Sequence, residues 1–207
     1  MHSTNRYSHI TLVSRAVNLA FIAHFGQTRK GTGLPYIIHP MDVMTFLADS
    51  GVEDEITLAS SVTHDVGEDC PQVSEGYFLD ATSQEVYNVV YKELTFAPSF
   101  QKERNGISTV TQKAEYMTTF DKKSVVALTI KVVDRCKNSK DFYLEDVKLS
   151  KKAYCKVYFN KAASLFTTWD ARKLEVIDFY GIATHKKINE LIEKTRADCD
   201  SLANFTG

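Results

Sequence analysis

The chain has 207 residues, with 25 Lys and Arg against 26 Asp and Glu and a net charge of -1. That length suits one substantial domain, and so even a charge balance gives no global field toward nucleic acid or an anionic membrane. No apolar run approaches the roughly 18 residues of a membrane span. The first residues, Met1 to Arg6, lack the apolar core of a signal peptide. Four cysteines (Cys70, Cys136, Cys155 and Cys199) stand apart in the sequence, with no C-x-x-C pair. That spacing argues against structural zinc and for a reducing compartment, so the expected setting is the cytoplasm.

Residues 8–25 place Ile10, Val13, Val17, Ala20, Phe21 and His24 at spacings of three and four, which predicts an amphipathic helix. Ser8 is placed to cap it and Gly26 to end it. A basic, glycine-rich loop follows from Gln27 to His39, anchored by Tyr36, Ile37 and Ile38. It reads either as a plain connector or as a flexible cationic lip over an anion. Pro40 opens a second helix over 40–49, and Glu53, Asp54 and Glu55 open a third over 53–66.

Further helices are predicted over 82–94, around 112–120, and over 122–138, 150–168, 170–180 and 184–205. The segment 122–138 is rich in β-branched residues and also compatible with a buried strand. Its length and lack of turn residues favour a helix, which puts Asp134 and Asn138 on one face. The weakly patterned stretch from Thr95 to Thr111 reads as an exposed loop. No alternation of strands and helices is visible. The expected architecture is all-α, one domain over 1–207 of about eight to ten helices.

The third helix ends in His64-Asp65-Val66-Gly67-Glu68-Asp69. Four ionisable groups in six residues, at the end of an apolar run, are costly unless a cation gathers them. His39 ends the basic loop, and Asp134 interrupts the apolar run Ile130 to Cys136. Asp134 reads either as a ligand or as the partner of Lys131 or Arg135. Two imidazoles and two carboxylates (His39, His64, Asp65, Asp134) suit manganese, iron or zinc. Such an ion polarises a phosphoryl group. Glu68 and Asp69 are then placed for proton transfer, with Arg29, Lys30 and Lys113 to offset phosphate charge.

The order His, His-Asp, Asp resembles that of HD-domain phosphohydrolases. The local motifs are narrower. Ala23-His24-Phe25-Gly26-Gln27-Thr28-Arg29-Lys30, then Pro35-Tyr36-Ile37-Ile38-His39-Pro40, then the HD segment, then Lys131-Val132-Val133-Asp134-Arg135-Cys136-Lys137-Asn138 resemble the RelA/SpoT-type alarmone hydrolase domain. The motif-bearing core covers about 10–165, with C-terminal helices over 166–207. The chain ends soon afterwards, as in the small stand-alone members of the family.

The resemblance implies an HD-domain helical bundle that hydrolyses the 3′-diphosphate of (p)ppGpp to GDP or GTP and pyrophosphate, with Mn2+ as the metal. It implies His39, His64, Asp65 and Asp134 as ligands and Glu68 and Asp69 as the catalytic acidic pair. Arg29 would stack on the guanine beside Lys30, and Asn138 and Tyr158 would contact the nucleotide. Tyr158 also reads as a core aromatic. The loop Gly31 to Leu34 and the segment 96–112 depart from the family pattern, and Gly67 stands where a small apolar residue is customary. Gly67 is therefore expected to loosen the turn holding Glu68. The loop motivates a second reading, hydrolysis of another nucleotide such as ppApp or NADPH. A third is an antitoxin or alarmone-binding protein that partners an alarmone-synthetase toxin.

Overall fold

A computed structural model describes residues 11–30, 32–96, 109–143 and 149–204. Among these residues there are ten α-helices of seven residues or more, a π-helical stretch, two single α-helical turns, two short 3-10 turns and no strand. The all-α expectation holds. No helix among the described residues is long and apolar enough to cross a membrane. The caps proposed at Ser8 and most of the divergent segment, 97–108, lie outside the described residues.

Helix α1 (Leu12–Ala23) starts at Thr11, whose side chain accepts from Ser14 N. The chain then turns at Gly26 with a positive φ of 79°, the left-handed conformation expected of a helix-ending glycine. Helix α2 (Ile38–Asp49) starts two residues before Pro40, which therefore sits within the first turn, where its missing N–H costs nothing.

Helix α3 (Glu55–Thr63) is shorter than its pattern suggests. Asp54 caps it, accepting from Thr57 N, so it starts at 55 and not 53. It stops before His64 because side chains compete for its last carbonyls. Ser61 donates to Leu58 O, Thr63 to Ala59 O, and the His64 ring to Ser61 O. Such back-bonding bends helices. The chain restarts as the single turn α4 (Val66–Asp69), so Glu68 and Asp69 lie on a helical turn and not on a loop.

Helix α5 (Glu75–Ala81) precedes the segment expected over 82–94, which is two pieces, the turn α6 (Gln84–Tyr87) and a π-helical stretch Asn88–Leu94. Helix α7 (Thr109–Thr118) precedes α8 (Val125–Ser139). The predicted helix over 150–168 divides into α9 (Leu149–Asn160) and α10 (Ala163–Ala171). Helices α11 (Lys173–Tyr180) and α12 (Ile182–Asn204) follow.

Helix α8 runs through the larger core cluster. Ser124 caps it, and Leu128, Ile130, Val132 and Val133 are fully buried. Around it pack Phe120, Leu165, Trp169 and Ile188. A second cluster joins α1 and α3 through Leu19, Ala59, Val62 and Phe78. The cysteines correct one expectation: Cys155 on α9 and Cys199 on α12 are joined as a disulfide, while Cys70 and Cys136 are free and buried. The reducing-compartment reading counted four unpaired thiols, and only two remain.

Asp42 ties α2 to α8. Its carboxylate accepts from Lys137 and Lys140, each at 2.9 Å. Lys137 is buried and lies over the Phe46 ring. Burial opposes the Asp42 charge, but the two lysines outweigh it and hold the carboxyl below its usual range. A depressed folded pKa stabilises above the unfolded value, about 3.9, and that stability is lost as pH falls through the folded pKa. Asp42→Asn is therefore expected to cost roughly 0.5–1 kcal/mol at pH 7 after solvent screening. Urea melts should show the difference shrinking as pH drops through the acid range.

Candidate metal centre and acidic pair

Three stretches of chain meet at the centre. The first turn of α2 brings His39, the junction between α3 and α4 brings His64 and Asp65, and the middle of α8 brings Asp134. His39, His64 and Asp134 are buried. His39 Nε2 lies 3.0 Å from Asp134 Oδ1 and 3.8 Å from Asp65 Oδ2. His64 Nε2 lies 3.2 Å from Asp65 Oδ2 and 3.4 Å from Asp134 Oδ1. Ligand atoms of His39, His64 and Asp65 all fall within 4.8 Å of one another.

The donor chemistry fits a divalent cation. His64 Nδ1 lies 2.7 Å from Ser61 O. A carbonyl only accepts, so Nδ1 carries the hydrogen and Nε2 is left with its lone pair. That Nε2 is buried with no hydrogen-bond partner of good geometry, and it faces two carboxylate oxygens. Lone pairs crowd there unless a cation divides them. With no metal, a proton serves. Burial pushes His64 down, but Asp65 and Asp134 outweigh it and raise the imidazole to about 10. Burial likewise opposes the charges on Asp65 and Asp134. Asp65 is nonetheless held below the usual carboxylate range, chiefly by His64, and Asp134 chiefly by Lys131.

Asp134 satisfies both readings of the sequence. Its Oδ2 pairs with the half-buried Lys131 at 3.0 Å, while Oδ1 faces the two imidazoles. Asn138 Nδ2 donates to the same Oδ1 at 2.6 Å, the i, i+4 pairing expected on one helix face. Lys131 was read only as a possible partner, and it is part of the site wall. An ammonium in an otherwise apolar helix, three residues before an aspartate, is the signal that marks it.

Glu68 and Asp69 open onto a cavity of about 210 Å3 that Asp65, Lys131, Asp134 and Tyr158 also line. Burial raises Glu68, with Lys131 and Lys113 pulling it back. Lys113 Nζ stands 3.8 Å from the Glu68 carboxylate and lines the same cavity. A neighbouring cavity of about 540 Å3 is lined by Gln27, Arg29, Lys30 and Asp141. Tyr36 and Asp69 line both.

Arg29 donates to Asn138 Oδ1 at 2.9 Å and to Asp141 Oδ2 at 2.6 Å. Its loop is ordered by Arg29 N to Leu34 O, Gly33 N to Arg29 O and a bridge between Thr28 and Pro35. Both amide atoms of Asn138 are engaged, one by Arg29 and one to Asp134, so this residue links the larger cavity to the His–Asp cluster. Tyr158 reaches the 210 Å3 cavity with the Arg135 guanidinium 3.7 Å from its ring centroid. Tyr36, Lys131 and Asp141 are the site residues that motif reading passed over as candidates.

Gly67 does not loosen its turn. A Cβ there would collide with Thr95 Oγ1 and meet the Tyr91 ring at 3.3 Å. The Thr95 hydroxyl is in turn fixed on Val90 O at 2.8 Å, at the end of the π-helical stretch. The glycine therefore permits a close approach that seats Glu68. Gly67→Ala is expected to cost about 1–3 kcal/mol by overpacking and to lower turnover. Adding Thr95→Ala should recover most of the melting temperature, since the obstructing oxygen is then gone.

No protein-family model matches the chain. It is 31% identical over 147 residues to a probable GTP pyrophosphokinase of Mycobacterium leprae, covering 70% of this chain and 18% of that protein. It is 32% identical over 142 residues to the GTP pyrophosphokinase of Streptomyces coelicolor, covering 68% and 16%. Over 59 residues, 28% of the chain, it is 49% identical to the guanosine-3′,5′-bis(diphosphate) 3′-pyrophosphohydrolase of Vibrio cholerae, covering 8% of that protein. The chain thus spans under a fifth of the length of these relatives. A solved structure, described as a metazoan orthologue of SpoT that hydrolyses ppGpp and plays a role in starvation responses, superposes with a TM-score of 0.68. The identity is 21%, and the match covers 89% of this chain and 95% of that one. The likeness first carried by four short motifs therefore extends to the fold of that structure and, over about two thirds of the chain, to the sequences of two GTP pyrophosphokinases.

Proposed function

We propose that the chain acts as one unit, a metal-dependent (p)ppGpp 3′-pyrophosphohydrolase that releases GDP or GTP and pyrophosphate. One observation carries the reading. His39, His64, Asp65 and Asp134 come from separate elements into one buried cluster, and the Glu68–Asp69 pair stands at its mouth. The relatives named for guanine alarmones support the substrate class.

His39, His64, Asp65 and Asp134 would hold the ion, for which we propose Mn2+, and it would supply Lewis-acid neutralisation of a phosphoryl group. Glu68 and Asp69 move protons to and from the reacting oxygens. Lys113 and Lys131 offset diphosphate charge on the wall of the smaller cavity. Arg29, fixed by Asn138 and Asp141, offers its guanidinium to the base in the larger one, with Lys30 beside it. The cytoplasm is the compartment we propose, on the strength of a nucleotide substrate.

The test is incubation of the manganese-loaded protein with ppGpp, pppGpp, ppApp and NADPH, followed by anion-exchange separation. GDP and pyrophosphate from ppGpp are the expected products. Cleavage of ppApp or NADPH with ppGpp intact would keep the metal chemistry and replace the substrate. Neutralisation of an alarmone-synthetase toxin by an inactive Asp65→Ala, Glu68→Ala protein would instead favour a binding partner role.

A further inference from the structure

The site contains a group that neither the metal nor the acidic pair accounts for. Tyr36 Oη lies 2.8 Å from Asp65 Oδ2 and 3.0 Å from Asp69 Oδ2. A phenol has one hydrogen, and here it serves two carboxylates, one in the metal cluster and one in the acidic pair. Two carboxylates this near a common point repel each other when both are ionised. A shared donor is what holds them at that spacing.

Asp69 needs such a hold from outside. It ends the four-residue turn α4, and one helical turn is too short to be stable by itself. Two side chains of the preceding motif grip it. Gln27 Nε2 donates to Asp69 O at 3.0 Å, and the Tyr36 hydroxyl reaches its carboxylate. Gln27 is oriented in turn by His24, whose Nδ1 lies 2.8 Å from Gln27 Oε1. An amide nitrogen that donates to Asp69 leaves its oxygen to accept, so His24 Nδ1 carries the hydrogen. The His24 ring also stacks on Tyr36, with centroids 4.8 Å apart and planes at 28°. His24 is fully buried and far less exposed than a substrate contact would be.

We propose that Tyr36 is a positioning residue that ties the metal ligand Asp65 to the acid–base carboxylate Asp69, with His24 and Gln27 as its brace. The proposal rests on the metal-dependent hydrolase reading above. It gives the Ala-His-Phe-Gly-Gln segment a mechanical role: the segment fixes the acidic pair relative to the ion, and touches neither the ion nor the phosphates.

Tyr36→Phe keeps the ring and its stack and removes only the hydroxyl. Two readouts separate positioning from a structural or substrate-binding role. Calorimetric titration of the metal-free protein with Mn2+ alone should show affinity reduced about 10- to 100-fold, the usual cost of losing a hydrogen bond to a ligand. With ppGpp at saturating manganese, kcat should fall at least about tenfold while KM stays within about threefold. In an Asp69→Asn background the same change should add less than about threefold, because residues acting as a unit are not additive.

Unchanged manganese affinity together with unchanged kcat would overturn the proposal. So would a rise in KM alone, which would make Tyr36 a substrate contact. If the Phe variant does not fold, Gln27→Leu replaces it. This variant should lower kcat with manganese affinity within about twofold, and an unaltered kcat would overturn the brace. If the wild-type protein leaves ppGpp intact, the functional reading falls, and the manganese titration still decides the role of Tyr36.

Discussion

Asp65→Ala is expected to abolish manganese-dependent hydrolysis of ppGpp, lowering turnover by more than about 10³-fold. Asp65 Oδ2 is where the site converges. The Tyr36 hydroxyl and both imidazole Nε2 atoms lie within 3.8 Å of it. No other carboxylate oxygen of the described site is shared in this way by the second histidine, the tyrosine and, through Tyr36, the acidic pair. The alanine variant should also lose the rise in melting temperature that manganese gives the wild-type protein, since a ligand stabilises only what it binds. The metal-free variant should itself melt lower, because the buried His64 imidazolium loses its carboxylate partner, whose attraction outweighs the repulsion between Asp65 and Asp134. Scanning calorimetry with and without manganese reads both effects. A variant that retains the manganese-dependent shift would show that Asp65 is not a ligand.

The parts of this site that the sequence made readable are those whose signal is local. Asp134 and Asn138 were placed on one face by four-residue spacing, and they are hydrogen bonded. The apolar run 125–133 was resolved as a helix by its length, and α8 is that helix. Convergence of His39 with the His64-Asp65 pair and Asp134 was anticipated because clustered ionisable groups need a common partner.

What stayed hidden depends on contacts between distant residues. Tyr36 sits in the apolar triplet Tyr36-Ile37-Ile38 and reads as an anchor; only its bonds to Asp65 and Asp69, 29 and 33 residues away, give it a role. Asp141 becomes part of the site through Arg29, 112 residues away. Gly67 read as a loosening because its neighbour in space, Thr95, is far along the chain. The break between α3 and α4 arises from side chains that bond backwards to carbonyls, a competition that hydrophobic spacing does not register. The Cys155–Cys199 pairing, separated by 44 residues, is likewise not deducible from the positions of single cysteines.

Glu68→Gln should separate proton transfer from metal binding. Glutamine preserves the size of the side chain and its polarity, and it cannot donate or take a carboxyl proton. Among the described residues the two imidazoles face Asp65 and Asp134, while Glu68 pairs with Lys113, so manganese affinity should stay within about twofold of wild type. Burial raises the Glu68 carboxyl, and Lys131 and Lys113 draw it back. That environment moves a carboxyl toward the range useful for proton transfer near neutral pH, and leaves the two lysines to offset diphosphate charge. Turnover is therefore expected to fall about 10²- to 10⁴-fold, the ordinary contribution of a positioned acid or base, with little change in KM. The acid limb of the kcat profile should flatten in the same variant, because the titrating group has been removed. Asp69→Asn, measured beside it, apportions the pair. If only the Asp69 variant loses activity, then Asp69, braced by Tyr36 and Gln27, is the group that moves the proton, and Glu68 serves to orient Lys113.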